Sequence, residues 1–384
     1  MVLAKKASFS TFAGGVRSSL KENQQYVGAN APHFYKNQKE ANMKKGMLVI
    51  VALALVVSGI GLCGAPAQAQ TVELSFNHLV PPKHLRNIHV LEPWSKMIEE
   101  RTKGKVKIKH FYSNTLAPVA ESFDATAAGV CDLTEAYTFG NPGRFLLTEF
   151  LALPEMGFPT AESCAKALWH IYKTFPEVQA EYKGVKVLWL HTTPNMKLNT
   201  KKKPVKSLED LKGMKIGVSG ALGVKVGKAL GLSPVTIPTP DLYEAGDKGV
   251  IDGFVRPAEL LVSRKLGEVT KYVTNVDLGH DLFFIIMNQK KWDSLPPDVQ
   301  KVFNELSGDW AVDFTGKEWD KFEKAATTEV SAKGIEFYDL PQQEAARWKK
   351  AVTPVQDEYA ADLESKKKPG KKVLEELRKL SEKR

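Results

Sequence analysis

"SLEDLKGMKIGVSGALGVKVGKALGLSPVTIPTPDLYEAGDKGVIDGF", residues 207–254, decides the fold. SLEDLKG is a short capped turn, MKIGV a strand, ALGVKVGKALG a helix and SPVTI a second strand. DLYEAGDKG is another helix, and VIDGF a third strand. Switching between the strand and helix periods with short links marks an α/β sheet, whose ligand sites lie at the carboxyl ends of strands. Upstream the alternation repeats. TVELSFN (71–77) alternates like a strand, HVLEPWSKMIEERTKGK has helical spacing and VKIKHFY is a strand. ESFDATAAGVCDLTEAY is helix, glycine stop and strand, and ESCAKALWHIYKTF leads to the strand GVKVLWLH. Two similar series predict two α/β lobes.

Downstream the chain turns helical. From Pro297 to about Ala332 apolar residues recur at helical spacing. If Gly308 and Gly316 do not break it, one helix of about 50 Å runs there, long enough to tie two lobes together. The C-terminal SKKKPGKKVLEELRKLSEKR reads as a solvated basic helix.

A net charge of +10 over 384 residues suggests nucleic acid or a membrane surface until its position is read. Residues 1–69 hold eight Lys and Arg against two Glu, a surplus of six, which leaves +4 for the rest. No zinc-finger, basic-zipper or aromatic RNA-binding motif accompanies it, so nucleic acid is not expected. MKKGMLVIVALALVVSGIGLCGAPAQA (43–69) has two lysines, an apolar run and an Ala-Gln-Ala cleavage pattern. It reads as a signal peptide, with translation starting at Met43 and residues 1–42 an upstream extension or a disordered arm. Leu62 directly before Cys63 argues against lipid attachment. Cys131 and Cys164 remain, either paired or as two buried thiols; spacing does not decide.

The chain has no Walker loop, G-x-S-x-G elbow, H-E-x-x-H or clustered Cys/His set. The glycines of GVSGALG (217–223) match no nucleotide fingerprint. No cofactor, metal or enzymatic activity is expected. Arg256, closing the strand of GVIDGFVRP, is either a fixed cation aimed at an anion or a partner of Asp252 or Glu259.

HLVPPKH, ERTKGKVKI, NTKKKPVKSLEDLKGMKI, GVIDG and NQKKWDSLPPDVQKVF, in this order behind a signal peptide, resemble the solute-binding subunit of TRAP transporters, the DctP-like family. The resemblance covers residues 71 to about 340. It implies a hinged two-lobed periplasmic binding protein, α/β, with a long helix spanning both lobes. Such a protein captures a small organic anion and delivers it to a membrane permease driven by an ion gradient. The lobes expected are 70–194 with 282–321, and 195–281 with 322–384 including the C-terminal helices. Nothing demands more than a monomer. Presentation of the ligand to a membrane sensor, or catalysis, are the alternatives.

The family usually has an arginine after KGxKI that clamps the ligand carboxylate; here Gly217 stands there. A second cationic position falls on Lys197. Arg256 stands where the family often has a ligand-contacting asparagine. The expectation is that Arg256 takes over anion binding, with space vacated at Gly217 admitting a larger ligand. Family position places His78 and Tyr137 at first-lobe strand ends facing the cleft, where an aromatic suits an apolar or aromatic acid, and Thr239 facing the pocket. Ser219 is either an N-cap or, with the following amides, an anion holder.

Overall fold

The computed structural model describes residues 71–383. The expected signal peptide, the expected start at Met43 and Cys63 lie outside the described residues. In chain order the strands are β1 (Val72–Asn77), β2 (Val106–Phe111), β3 (Leu133–Tyr137), β4 (Val185–Thr192), β5 (Lys197–Thr200) and β6 (Lys215–Val218). They continue with β7 (Ser233–Thr236), β8 (Gly253–Arg256), β9 (Tyr272–Asn275), β10 (Leu282–Asn288) and β11 (Glu336–Asp339). The helices that matter for the site are α1 (Glu92–Arg101), α2 (Val119–Ala128), α3 (Ala161–Thr174), α4 (Gly220–Ala229) and α5 (Glu259–Ser263). The last three are α6 (Gly308–Ala332), α7 (Gln342–Ser365) and α8 (Gly370–Glu382).

Two sheets form, as the two series of alternation predict. Lobe I has the order β2-β1-β3-β10-β4, lobe II the order β11-β9-β5-β8-β6-β7. In each, one strand runs against its neighbours: β10 between β3 and β4, and β5 between β8 and β9. Each is the strand the chain enters directly after crossing from the other lobe. β10, LFFIIMN, is buried along its whole length, which accounts for its unbroken apolar run.

The two crossover segments pair with each other. Thr193 N donates to Asp281 O (2.9 Å), Asp281 N to Thr193 Oγ1 (3.0 Å) and Met196 N to Gly279 O (2.9 Å). Gly279, at φ +89°, has the Ala152 carbonyl 2.2 Å from where a Cβ would sit, so no side chain fits there. His280 Nδ1 lies 2.8 Å from Thr193 O and its Nε2 2.9 Å from Phe158 O. Carbonyls only accept, so both ring nitrogens donate and the buried ring is an imidazolium. Burial pulls its pKa down, but Cys164, Asp277 and the Thr193 carbonyl outweigh this and hold it up at about 9.

The long helix differs from the sequence expectation. It breaks at Leu306–Ser307, and α6 starts at Gly308 (φ +56°) and runs 25 residues, about 37 Å. Gly316 does not break it. A Cβ there would come within 2.5 Å of Glu162 Cα, so the glycine lets α6 lie close on the start of α3. Asp320 on α6 accepts from the amides of Ala161 (2.7 Å) and Glu162 (3.1 Å) at the N-terminus of α3 in lobe I. Glu323, one turn on, accepts from Ala258 N (3.1 Å) and Glu259 N (2.9 Å) at the N-terminus of α5 in lobe II. One helix thus caps an element of each lobe.

The C-terminal helices reach both lobes. Near its start α7 meets lobe II, where Glu344 accepts from Leu208 N (2.7 Å). Further along, Gln356 Nε2 donates to Pro154 O (2.8 Å) and Tyr359 Oη to Leu146 O (2.6 Å) in lobe I. The basic tail is not simply solvated. Val373, Leu374 and Leu377 of α8 are buried, and Glu376 meets His170 of α3 at 2.9 Å. Cys131 and Cys164 are free, buried thiols.

Asp320→Ala removes the carboxylate that accepts from the first two amides of α3, alongside the helix's own cap at Thr160, and is expected to cost about 1–2 kcal/mol of stability, read as a lowered midpoint in urea unfolding. An unchanged midpoint would remove Asp320 from the forces holding α6 to lobe I.

Candidate functional site

The parallel strands of both sheets end toward the crossovers, and there the chain places its buried charges. Arg256 is the last residue of β8, opposite Lys197, the first of β5. It is 1% exposed. Its Nη1 donates to Val255 O (2.6 Å) and its Nη2 to Thr239 Oγ1 (3.2 Å), while Nε has no partner. Among the described residues no carboxylate lies within ion-pair distance of it. Asp252 Oδ2 accepts from Lys215 N instead (2.9 Å), and Glu259 faces Arg86 and Arg264. Burial lowers the Arg256 pKa, with Asp281 and Tyr137 acting in the opposite direction. A guanidinium stays charged in such a place, and an unmatched buried charge is costly until an anion reaches it.

The other predicted residues divide. Thr239 holds Arg256 through its hydroxyl. Tyr137 stacks on Phe139 (centroids 4.0 Å, 9°) and stands edge-on to Phe283 (6.1 Å, 84°). Burial raises its pKa first, and Asp281 adds to this. Ser219 precedes α4 without capping it, and its buried Oγ has no partner. Lys197, opposite Arg256 in the register, is paired with Glu323. His78 packs in a ring stack with His110 and Tyr112, its Nε2 2.7 Å from His110 Nδ1. Burial, His110 and Arg86 keep it neutral. The space expected at Gly217 is filled: a Cβ would meet Leu242 Cδ2 at 2.9 Å and Ile251 Cδ1 at 3.2 Å, both in the lobe II core.

The sequence reading missed a second buried arginine. Arg86, 2% exposed, lies just before a π turn (Asn87–Leu91), a distortion frequent at functional sites. Its guanidinium stands 4.6 Å over the Phe283 ring and 5.8 Å from that of Trp319. Its Nε lies 2.5 Å from Glu135 Oε1, a close ion contact without hydrogen-bond alignment. Glu135 is fully buried, on the same face of β3 as Tyr137 two residues later. His191 Nε2 lies 3.8 Å from Glu135 Oε1, and its Nδ1 accepts from Trp319 Nε1 (3.2 Å). One signal was legible: a glutamate inside LTEAY, a strand buried along most of its length.

Asp281, whose charge acts on Arg256, also lines a cavity of about 360 Å³ between the lobes. Phe139 and Leu146 close it from lobe I, Leu222 and Val255 from lobe II, and Leu278 from a crossover, with Ser219 at its wall. Its size suits a small organic ligand, and Glu149, Lys225, Asp362 and Lys366 add charged groups to a lining that is otherwise largely apolar. Among the described residues no group of His, Cys, Asp and Glu could hold a metal, and no helix is long and apolar enough to cross a membrane.

Burial raises the pKa of Glu135, Glu149, Glu155 and Glu259 to about 7. Their ordinary value is 4.5, so between 4.5 and 7 the folded chain holds protons that the unfolded chain has lost. Their contribution to stability is complete below 4.5 and is lost as pH rises through 7. The melting temperature of the free protein is therefore expected to fall over this window, and Glu135→Gln to flatten the decline. An equal slope in wild type and variant would contradict the assignment for Glu135.

Residues 76–362, about three quarters of the chain, match the profile of bacterial extracellular solute-binding protein, family 7 (DctP). The chain is 26% identical over 314 residues to the C4-dicarboxylate-binding periplasmic protein DctP of Rhodobacter capsulatus, covering 80% of this chain and 91% of that one. Two solved structures share the fold closely. A TRAP solute-binding protein of Rhodoferax ferrireducens with copurified benzoate superposes with a TM-score of 0.76 at 26% identity, covering 82% of this chain and 98% of that chain. One from Bordetella bronchiseptica with bound (R)- and (S)-mandelate gives 0.74 at 30% identity, covering 81% and 99%. The two lobes, the paired crossovers and the long helix are those of a solute-binding protein, and this chain belongs to family 7 of the bacterial extracellular solute-binding proteins, the DctP family.

Proposed function

We propose that this protein captures a small aromatic or otherwise apolar monocarboxylate in the periplasm and delivers it, one chain per ligand, to a TRAP permease driven by an ion gradient. The observation that carries the reading is Arg256, a buried guanidinium with an unmatched Nε and no carboxylate at ion-pair distance, beside the stacked rings of Tyr137 and Phe139. The cation supplies the partner for one carboxylate, and the rings with the neighbouring apolar cavity supply contact for the body of the ligand. Benzoate and mandelate, named with two of the similar structures, have this shape. So does metahydroxyphenylacetate, bound by a marine TRAP solute-binding protein 28% identical to this chain at a TM-score of 0.77. Capture requires no turnover of the acid, and the reading assigns none.

A thermal-shift series with benzoate, mandelate, 3-hydroxyphenylacetate and C4-dicarboxylates tests this. A true ligand at about a hundred times its Kd adds about 2.7 kcal/mol of stability. The aromatic acids are expected to shift the melting temperature and the dicarboxylates are not. Arg256→Gln is expected to abolish the shift and Arg256→Lys to weaken affinity at least about tenfold. An undiminished shift in Arg256→Gln would remove Arg256 from the site, and a response to dicarboxylates alone would overturn the ligand class.

A further inference from the structure

Asp281 is a buried carboxylate to which the reading above gives no role. It belongs to the crossover that enters β10, where both its backbone groups are taken by Thr193. The side chain has no part in that pairing. Among the described residues its carboxylate accepts no hydrogen bond and makes no ion pair; Arg256 and His280 act on it through charge alone. The residue is only 8% exposed, yet neither carboxylate oxygen is sealed off. The small part left open therefore includes them, in a residue that lines the cavity between the lobes.

The cavity and Arg256 adjoin. The guanidinium is not in the lining, but three lining residues lead to it. Val255 gives its carbonyl to Nη1, Phe139 stacks on Tyr137, which acts on Arg256, and Asp281 acts on Arg256 directly. A ligand anchored on Arg256 with its ring against Phe139 thus enters the cavity whose wall holds Asp281.

Charge decides what Asp281 can accept there. His280, the residue before it, is an imidazolium, and Arg256 is a guanidinium. With Asp281 and one ligand carboxylate these form a balanced set. A second carboxylate would add an uncompensated negative charge in a buried place and repel Asp281. A neutral O–H adds no charge and supplies the donor that the carboxylate lacks, in a charge-assisted hydrogen bond. The other charged lining groups are engaged elsewhere. Lys366 pairs with Asp362 (2.8 Å), on which Lys225 also acts, and both lysines are exposed. Glu149 is acted on by Glu181. On the lobe II wall, Ser219 Oγ is buried without a partner.

We propose that Asp281 selects acids with a hydroxyl on the aromatic body, accepting its O–H, and that its charge excludes dicarboxylates. The proposal deepens the carboxylate reading above and rests on it.

Isothermal titration with matched acids tests it: benzoate against 2-, 3- and 4-hydroxybenzoate, and each hydroxy acid against its methoxy counterpart, which keeps the oxygen but has no proton to donate. At least one hydroxy isomer is expected to bind about tenfold more tightly than benzoate, and its methoxy counterpart to lose that gain. Asp281→Ala is expected to bring this isomer down to the affinity of benzoate, with benzoate itself bound no more weakly than by wild type. Asp281→Asn keeps the shape and the backbone pairing of the crossover should alanine unsettle it; this variant is expected to bind isophthalate, a benzene dicarboxylate that wild type rejects. Benzoate bound as tightly as all three hydroxy isomers would overturn the proposal and leave the monocarboxylate reading standing. Isophthalate bound by wild type as tightly as benzoate would overturn it too. A hydroxyl gain that survives Asp281→Ala and vanishes in Ser219→Ala would overturn it by moving the contact to lobe II. If wild type binds none of these acids, the aromatic-acid reading fails, and this proposal with it.

Discussion

The paired crossovers are the constraint on which the rest depends. Two chain segments must pass between the lobes, and each has backbone groups that need partners; they find them in each other, at Thr193 with Asp281 and at Met196 with Gly279. This pairing makes β5 and β10 enter their new sheets against the direction of the neighbouring strands. It therefore sets which strand ends face the gap between the lobes. His280, donating from both ring nitrogens to carbonyls on either side, adds a buried positive charge to the join. The carboxyl ends of β3 and β8 then have a fixed place to converge.

What converges there is charge that water cannot reach. Arg256 and Arg86 are each at most 2% exposed. A buried guanidinium adds little to stability by itself, because the loss of hydration offsets what neighbouring dipoles return. Binding proteins use this imbalance. Arg256 lacks a close carboxylate, whereas Lys197, one rung across the ladder, is neutralised by Glu323. Two cations at nearly the same place in the sheet thus differ in one respect: Lys197 has a carboxylate at ion-pair distance, and among the described residues Arg256 has none.

Much of the fold was legible in the sequence. Both series of alternation, the glycine stop at Gly129 and the long helix follow from local periodicity and turn chemistry, and all are present. The site was legible only in part. Arg256, Thr239 and Tyr137 come together, but Gly217 faces a filled core and His78 a ring stack. Arg86 and Glu135 are 49 positions apart and meet only because β1 and β3 pair and the loop after β1 folds back over β10. No local pattern encodes such a meeting. Whether Gly316 breaks the helix was undecidable for a related reason: its close approach to Glu162 comes from another helix, which local propensity does not encode.

Asp320 and Glu323 sit three residues apart on α6, each holding the start of a helix in a different lobe. In an α-helix three residues correspond to about 4.5 Å of rise, and each added residue rotates the remainder of the helix by about 100°. The spacing of these two carboxylates is therefore a ruler for the distance and angle between the elements they hold. Surface loops tolerate insertions and deletions, but a single insertion between 320 and 323 would swing one cap away from its helix.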